Sequence, residues 1–471
     1  MRELIKYKQT ENEFNEMVKN IARICAIPSI SKFKKDSVTP FSKEVDMALD
    51  FALNLAKSFN FRTFKDPEGY FGFAQIGNSK KVIAIMAHLD VVPAGDESQW
   101  TSEAFKPLIL EDKIFGRGTL DDKGPAIISL YAMKYIQDND LLSDDVSIRL
   151  VFGLSEETNM YSMKMYLNKF GLPYVAYTPD GEWPLIYAEK LVYHVDLEFP
   201  RLDNLVVKAG EVVNQIPDTL YASFGEIEKV REILVNDSQL SEDKQIIQVK
   251  GKGGHGSTPE KGDNVIIKFF KAFAEAFPEW KGHSLVKFIN ENFQDNDFSL
   301  PKIFPEYEDF SGKLSANLGK IKTTGKHVTL SFDLRVPVTF DKTSVYADLT
   351  KYFASFNKKV EIIQIGHKPA KYLNVDSNLV NILMQTYNEC LQVDEKPIAI
   401  GGGTYARLFD SCVAFGATKS MHLMHGPNEH YTFKEMQDSL EIYINALNRL
   451  QDYDKTKDLI ILKNDLFNEE I

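Results

Sequence analysis

Cysteine is scarce in this sequence, and the positions of the cysteines exclude two classes of structure. Cys25, Cys390 and Cys412 are an odd number, lie far apart and form no CxxC pair. A disulfide framework needs paired cysteines, and a thiolate zinc site needs closely spaced ones. We therefore expect three buried, reduced thiols in a cytoplasmic protein.

Long apolar runs and an excess of basic residues are also missing. No apolar run approaches about 18 residues, the length of a membrane-spanning helix, and polar positions recur throughout the first thirty residues, so neither a membrane span nor a signal peptide is expected. The 55 basic and 67 acidic residues leave a net charge of -12, and no basic stripe could neutralise a phosphate backbone. Neither nucleic acid nor a membrane is an expected partner.

The length and the spacing of apolar residues predict two domains of different class. The 471 residues exceed the roughly 250 to 300 at which a single core stops growing. Buried-strand and helical patterns alternate through 1–189, as in a mostly parallel α/β sheet, and helical patterns return in 372–471. Between them, 190–371 has the alternation of strands with a few turns and helices. We predict an α/β catalytic domain interrupted by an inserted α+β domain.

Polar side chains follow the predicted strands where each strand ends. The apolar run Lys81–Ala87 stops at His88, and Val146–Gly153 is followed at once by Glu156 and Glu157. In parallel sheets, ligands bind beyond the carboxyl ends of the strands. We therefore expect the chemistry of this protein at these strand ends, with helices predicted next to them at Gly124–Gln137 and Tyr161–Phe170.

The individual motifs each allow a structural and a functional interpretation. His88 and Asp90 project to one side of an extended chain, where a carboxylate can orient a metal-binding histidine. Asp121 and Asp122, in the glycine-flanked turn Gly116–Pro125, suit either a helix cap or a site that the backbone approaches closely.

Further acidic and histidine residues are candidates for a metal-binding or catalytic site. The adjacent carboxylates of Glu156 and Glu157 repel each other unless a cation or a shared proton is present. Asp180 stands next to glycine in what reads as an ordinary turn. Three histidines lie within 422–430, and histidine combined with Asp and Glu suits zinc, manganese or cobalt better than calcium.

In this order, the motifs resemble the M20 family of metallopeptidases, and most closely its PepV-type bacterial dipeptidases. The resemblance extends over essentially the whole chain and implies a catalytic α/β domain interrupted by an inserted lid domain. The segments that carry it are His88–Gly95, Gly116–Pro125, Glu156–Glu157, Pro179–Asp180, Gly253–Ser257, Gly401–Arg407, and His425 with Asn428–Glu429.

The resemblance implies a centre of two divalent metal ions. His88 and Asp180 would hold one ion, Glu157 and His425 would hold the other, and Asp121 would bridge them. It also implies that the peptide bond following the bridging aspartate is cis. We expect zinc, with manganese and cobalt as alternatives, because the ligand types suit all three.

The resemblance also implies catalytic roles for three residues. Glu156, which holds no metal, would be the general base that takes a proton from the attacking water and later passes it to the leaving amine. Asp90 would orient His88, and His255 would stabilise the oxyanion of the tetrahedral intermediate. The residues implied in binding the carboxyl end of the substrate are Asn214, Arg335, Gly402, Gly403 and Thr404.

The expected function is hydrolysis of dipeptides and other very short peptides. An N-acyl amino acid amidohydrolase is the alternative within enzymes, since the same centre would activate the same attack. A catalytically silent relative that binds peptides is the alternative outside them. The long insertion resembles the enlarged lid that acts within one chain, so we predict a monomer.

Overall fold

The computed structural model divides the chain into two compact units. The first contains the residues up to Tyr187, Tyr372–Ile398 and the residues from Gly403 onward, and the second contains Ala188–Lys371 and Ala399–Gly402. The catalytic and lid functions of the two predicted domains stay predictions. The residues that the structure describes are 2–35, 37–202, 204–294, 296–356 and 360–458.

The segments with helical spacing of apolar residues form helices that bury their apolar face. Thr10 and Thr432 begin the first and the last of these with capping boxes, in which the threonine hydroxyl and a glutamate satisfy free backbone N–H groups. The helices predicted beside the strand ends are confirmed to within one residue at each end. In chain order the helices are α1 (Glu11–Cys25), α2 (Lys43–Ser58), α3 (Lys123–Asp138), α4 (Tyr161–Phe170), α5 (Glu228–Ile233), α6 (Val265–Ala276), α7 (Ser284–Asn292), α8 (Lys342–Phe353), α9 (Asn378–Leu391) and α10 (Phe433–Leu450).

In the described part of the chain, the strands form two large sheets and three small ones. In chain order the strands are β1 (Arg62–Lys65), β2 (Gly72–Ile76), β3 (Val82–His88), β4 (Leu108–Leu110), β5 (Lys113–Phe115), β6 (Ser147–Gly153), β7 (Val175–Thr178), β8 (Ile186–Glu189), β9 (Leu191–Pro200), β10 (Val206–Ala209), β11 (Gln215–Ile216), β12 (Thr219–Ser223), β13 (Ser238–Leu240), β14 (Ile247–Lys250), β15 (Gly254–His255), β16 (Glu308–Asp309), β17 (Gly312–Lys313), β18 (Ser315–Thr324), β19 (His327–Val336), β20 (Glu361–Lys368), β21 (Lys371–Tyr372), β22 (Ile398–Ile400), β23 (Cys412–Ala414) and β24 (His430–Thr432).

A mixed sheet with a parallel centre organises the first unit. Its strand order is β1-β2-β6-β3-β7-β23-β8-β21, and β22 pairs with β8. The strand β3 is parallel to β6 and β7, and β7 is parallel to β23. The pairs β1/β2, β2/β6 and β23/β8 are antiparallel. The predicted α/β class is confirmed, with the parallel pairing concentrated at the centre of the sheet.

An antiparallel sheet with helices on one face organises the second unit. Its order is β13-β14-β12-β10-β18-β19-β9-β20, and the helices α6 and α7 pack against it through a core rich in phenylalanine. Alternate residues of β19, Leu330, Phe332 and Leu334, belong to this core. Because strand residues alternate faces, Asp333 and Arg335 lie on the face turned away from it.

The cysteines are free, as the sequence predicts. Cys25 and Cys412 are buried, whereas Cys390 on α9 is partly exposed. The expectation that all three are buried is therefore wrong for Cys390. Burial raises the pKa of the Cys25 thiol to about 12, which keeps this sulfur protonated and unreactive at neutral pH.

Candidate metal centre and substrate-binding residues

The carboxyl ends of neighbouring parallel strands bring His88 and the predicted acidic residues to one edge of the mixed sheet. The strand β3 ends at His88, whose register partner on β6 is Gly153. The chain after Gly153 leads within four residues to Glu156 and Glu157, and β7 ends two residues before Asp180. The clustering expected at the strand ends is therefore present.

Asp121 lies between two histidines and turns one carboxylate oxygen toward each. Its Oδ1 is 2.8 Å from His88 Nε2, and its Oδ2 is 2.8 Å from His425 Nε2. Asp180 Oδ2 is 3.6 Å from the same His88 nitrogen, and Glu157 Oε2 is 3.1 Å from the same His425 nitrogen. Asp121 thus belongs to two groups of potential ligands, one with His88 and Asp180 and one with Glu157 and His425.

The donor atoms of these two groups suit divalent cations. Each group offers one imidazole nitrogen and two carboxylate oxygens within 4.8 Å of one another, a set that zinc, manganese and cobalt all accept. Among the described residues, His88 Nε2 and Asp121 Oδ1 are buried without a hydrogen-bond partner although they lie 2.8 Å apart. Buried polar atoms are seldom left so, and both therefore fit the role of metal ligands.

The cluster is electrostatically unfavourable by itself. Burial and the neighbouring charge of Asp121 raise the pKa of Glu157 to about 7, and the same two causes raise the pKa of Asp180. Burial lowers the pKa of His88, but the carboxylates of the neighbouring aspartates, Asp121 foremost, outweigh it and raise this pKa well above its usual range. Carboxylates held so closely need positive charge beside them, which a divalent cation would supply.

Asp90 orients two parts of the site through different atoms. Its backbone carbonyl oxygen is 2.8 Å from His88 Nδ1, whereas its carboxylate Oδ1 is 3.6 Å from that nitrogen. The carboxylate instead accepts hydrogen bonds from the backbone N–H groups of Glu156 at 3.1 Å and Glu157 at 3.2 Å. The strand β3 ends at His88, so strand alternation does not govern where the Asp90 side chain points.

The turn before α3 has the backbone that the family resemblance implies. The Asp121–Asp122 peptide bond is cis, which confirms that prediction. In the described part of the chain, Asp122 makes no side-chain cap hydrogen bond to α3. Its Oδ2 accepts the N–H of His88 at 3.0 Å. Asp122 therefore ties this turn to the end of β3, which the sequence did not reveal.

A buried ion pair holds the two segments that carry Asp121 and His425. Glu429 Oε1 accepts the backbone N–H groups of Gly118 at 3.0 Å, Leu120 at 2.9 Å and Asp121 at 3.3 Å. Its Oε2 accepts from Arg117 Nη1 at 2.6 Å, and Arg117 Nη2 donates to the His425 carbonyl at 3.1 Å. Neither partner has a role predicted from the sequence. They are 312 positions apart. The sequence pointed to them only in that both lie within segments that carry the family resemblance.

In the second unit, the segments of Asn214 and His255 lie side by side. The strands β11 and β15 pair with Gln215 opposite His255, and the Gly256 N–H donates to the Asn214 carbonyl at 2.8 Å. The Ser257 N–H donates to His255 Nδ1 at 3.2 Å. Ser257 Oγ lies 2.6 Å from the same nitrogen, so the backbone N–H and the hydroxyl of Ser257 both contact the His255 ring.

Arg335 lies in the same unit, buried on β19. Its Nε and Nη2 donate to Asp333 Oδ2 at 3.1 and 2.7 Å, and its Nη1 donates to the Gly401 carbonyl at 2.6 Å. Gly401 also approaches Ser257, since a Cβ added at Gly401 would lie 3.2 Å from the Ser257 Cβ. The structure therefore brings Arg335 close to the loop that carries His255.

The glycines before Tyr405 have a packing role as well as a predicted binding role. Gly402 belongs to the second unit, and Gly403 and Thr404 belong to the first. Thr404 Oγ1 accepts the N–H of Ala406 at 3.1 Å, and a Cβ at Gly403 would lie 1.5 Å from Arg407 Nη2. A side chain at 403 would therefore displace the Arg407 guanidinium, and substrate binding by these three residues stays a prediction.

Comparisons with known proteins agree with this arrangement. The family model for peptidase family M20/M25/M40 matches residues 84–449. A protein of Staphylococcus aureus strain MW2 named "Putative dipeptidase" is 29% identical over 466 residues, covering 94% of this chain and 98% of that protein. Among the described residues, no helix combines the length and apolar character needed to cross a membrane.

Solved structures share the fold at low identity. Human carnosine dipeptidase 1 has a TM-score of 0.58 at 15% identity, covering 94% of this chain and 97% of that one. The di-peptidase Dug1p of Saccharomyces cerevisiae has a TM-score of 0.57 at 14% identity, with the same two coverages of 94% and 97%. These likenesses confirm the predicted fold, in which an antiparallel-sheet domain accompanies the α/β domain.

Proposed function

Because the chain belongs to peptidase family M20/M25/M40, we propose that it is a dipeptidase whose reaction depends on divalent metal ions. The family gives the reaction class, hydrolysis of a peptide bond. The substrate class is supported by the names of the three similar proteins described above, each of which is called a dipeptidase. The observation that carries the proposal is Asp121, one carboxylate shared by two groups of candidate ligands.

The proposed centre has two ions held by five residues. His88 and Asp180 would hold one ion, Glu157 and His425 the other, and Asp121 both, with zinc expected and manganese or cobalt as alternatives. Divalent ions bound there would act as Lewis acids toward the carbonyl of the scissile bond. The contribution of the chain is to keep these side chains apart at fixed separations before substrate arrives.

Glu156 is the proposed general base. Among the described residues it belongs to neither group of candidate ligands, and its side chain is buried, with 8% of the residue exposed. The Asp90 carboxylate fixes its backbone. A carboxylate so placed would take the proton of the attacking water and return it to the amine that leaves.

The second unit is proposed to bind the carboxyl end of the substrate and the developing oxyanion. Arg335 offers guanidinium N–H groups, which pair well with a carboxylate, and Asn214, Gly402, Gly403 and Thr404 are assigned to the same end by the family resemblance. His255 would donate a ring N–H to the developing oxyanion.

The proposal is tested with metal-stripped protein resupplied separately with zinc, manganese and cobalt. The substrates are unblocked dipeptides, tripeptides and N-acetyl amino acids. We expect hydrolysis confined to dipeptides and restored by metal. Hydrolysis of N-acetyl amino acids alone would instead indicate an amidohydrolase, and peptide binding without turnover under every metal would indicate a silent relative.

Glu156→Gln provides the matched test of the base. The substitution keeps the shape of the side chain and removes its ability to accept a proton, so kcat should fall by about 10²- to 10⁴-fold. The metal content, measured by mass spectrometry, should be unchanged. Wild-type turnover by this variant would contradict the assignment.

The monomeric state and the cytoplasmic location of the protein stay predictions. Size-exclusion chromatography tests the monomeric state.

A further inference from the structure

Arg335 is buried, yet its guanidinium is only partly used by the protein. The residue is 5% exposed, and an arginine side chain has five N–H donors. The N–H of Nε and one N–H of Nη2 go to Asp333 Oδ2, and one N–H of Nη1 goes to the Gly401 carbonyl. Among the described residues, one donor on Nη1 and one on Nη2 remain without a partner.

One of the remaining donors, on Nη2, belongs to the outer end of the guanidinium fork, and the other is on the neighbouring Nη1. Asp333 occupies the side formed by Nε and Nη2, at 3.1 and 2.7 Å. The outer nitrogens Nη1 and Nη2 each keep a hydrogen, and such a pair matches the two oxygens of one carboxylate. Buried donors without partners are costly, so their presence here points to a ligand that accepts from both.

Asp333 is itself held rigidly by neighbouring strands. It is fully buried, and its register partners are Asn317 on β18 and His194 on β9. His194 Nε2 lies 3.2 Å from Asp333 Oδ1, the oxygen that Arg335 does not use. Asp333 is therefore held within the sheet, and its carboxylate orients the Arg335 side chain.

We propose that Asp333 is a positioning residue that presents the outer N–H pair of Arg335 to the terminal carboxylate of the substrate. This inference rests on the proposed function, which assigns Arg335 to the carboxyl end of the substrate, and adds to it the residue that orients this arginine. Without Asp333, the Arg335 side chain could adopt other rotamers, because only the Gly401 carbonyl would hold its guanidinium. Binding of the carboxylate would then weaken, whereas the chemical step would be nearly unaffected.

The test compares an unblocked dipeptide with its carboxy-terminal amide in four proteins: the wild type, Asp333→Asn, Arg335→Gln and the double variant. Asp333→Asn should raise KM for the dipeptide about 10- to 50-fold, as expected for losing a hydrogen bond between charged groups. Its kcat should stay within about threefold of the wild type, and KM for the amide should not change. In the Arg335→Gln background, Asp333→Asn should raise KM no further, because residues that act through one another are not additive.

Asp196→Asn is the matched control, since Asp196 lies on the same face of the sheet two residues from His194 and makes no contact with Arg335 among the described residues. It should leave both KM values unchanged. If Asp333→Asn does not fold, Asp333→Glu keeps the charge and moves the carboxylate, and should also raise KM for the dipeptide alone.

Three outcomes decide the matter. An unchanged KM for the dipeptide in the folded Asp333 variant would overturn the inference, as would an equal further rise in the Arg335→Gln background. In both cases the wild type still hydrolyses dipeptides, so the proposed function survives. A wild type that neither hydrolyses nor binds dipeptides under any metal would overturn both.

Discussion

The two units of the molecule hold buried charges in opposite ways. In the first, Asp121, Glu157 and Asp180 crowd together, and the pKa of both Glu157 and Asp180 is raised by burial and by the charge of Asp121. In the second, burial would raise the pKa of Asp333, but the charge of Arg335 and the nearby His194 outweigh it and lower this pKa. In the first cluster three carboxylates share two histidines, whereas in the second the single carboxylate of Asp333 faces both Arg335 and His194.

This difference indicates which kind of ligand each cluster would bind. Carboxylates left without compensation favour a cation, since moving them together into a buried site is otherwise unfavourable. A compensated pair with spare N–H donors favours an anion that can accept from them. Substitutions in the cluster around Asp121 should therefore change metal content, whereas those around Asp333 and Arg335 should change KM.

Asp121→Asn should have the largest effect. The carboxamide keeps one oxygen and places an NH₂ group toward one of the two histidines, so it cannot serve both groups of ligands. We expect metal content to fall and kcat/KM to fall by more than about 10³-fold, beyond the usual loss for a single electrostatic group. Metal analysis by mass spectrometry and steady-state kinetics measure the two effects.

Asp66→Asn is the control for this substitution, because Asp66 is buried in the same unit but pairs with Lys169. It should keep its metal and its activity. Full metal content in Asp121→Asn would show that Asp121 is not a shared ligand. It would also contradict the view that the cluster around Asp121 binds cations through this carboxylate.

Glu429→Gln should have a smaller effect in the first unit. Its carboxylate holds Arg117 and three backbone N–H groups around Asp121, and an amide has only one oxygen to accept them. Losing a residue that orients metal ligands typically weakens metal affinity about 10- to 100-fold. Competition with a chelator of known affinity measures this change, and activity at saturating metal should largely recover.

Glu435→Gln serves as the control, since Glu435 closes the capping box of α10 and glutamine also suits that position. Its metal affinity should equal that of the wild type. An unaltered affinity in Glu429→Gln would show that the turn around Asp121 holds its shape without the ion pair.

The candidate centre was largely predictable because its residues follow local patterns. The strand β6 and the helix α4 were predicted within one residue from apolar spacing alone, and parallel strands necessarily end at one edge of the sheet. His88 stands at one of these strand ends, and the turn before α3 brings Asp121 to it. The family resemblance then assigned a role to each member.

The groups that hold the centre could not be predicted in the same way. Arg117 and Glu429 meet across 312 positions, and a lone buried ion pair leaves no periodic signal in a sequence. Asp90 was expected to reach His88 through its carboxylate, but its carbonyl makes the short contact. That choice depends on how the chain turns after β3, which no strand pattern describes.

The smallest effect is expected in the second unit, at Asn317. Its Nδ2 donates to the carbonyls of Val213 at 3.0 Å and Gln215 at 2.8 Å, and so holds the segment of Asn214 from both sides. Asn317→Leu keeps the volume and removes both hydrogen bonds, each worth about 1 kcal/mol. We expect KM for a dipeptide to rise about three- to tenfold, with kcat and metal content unchanged.

Asn292→Leu separates this effect from a general loss of stability. Asn292 is also buried in the second unit, and its Nδ2 likewise makes two hydrogen bonds, to the Phe288 carbonyl and the Tyr352 hydroxyl. Both variants should lower the thermal midpoint, but only Asn317→Leu should raise KM. An equal rise in both would show that KM follows the stability of the whole unit. A change in metal content would show that the two units do not divide cation and anion binding as their charges indicate.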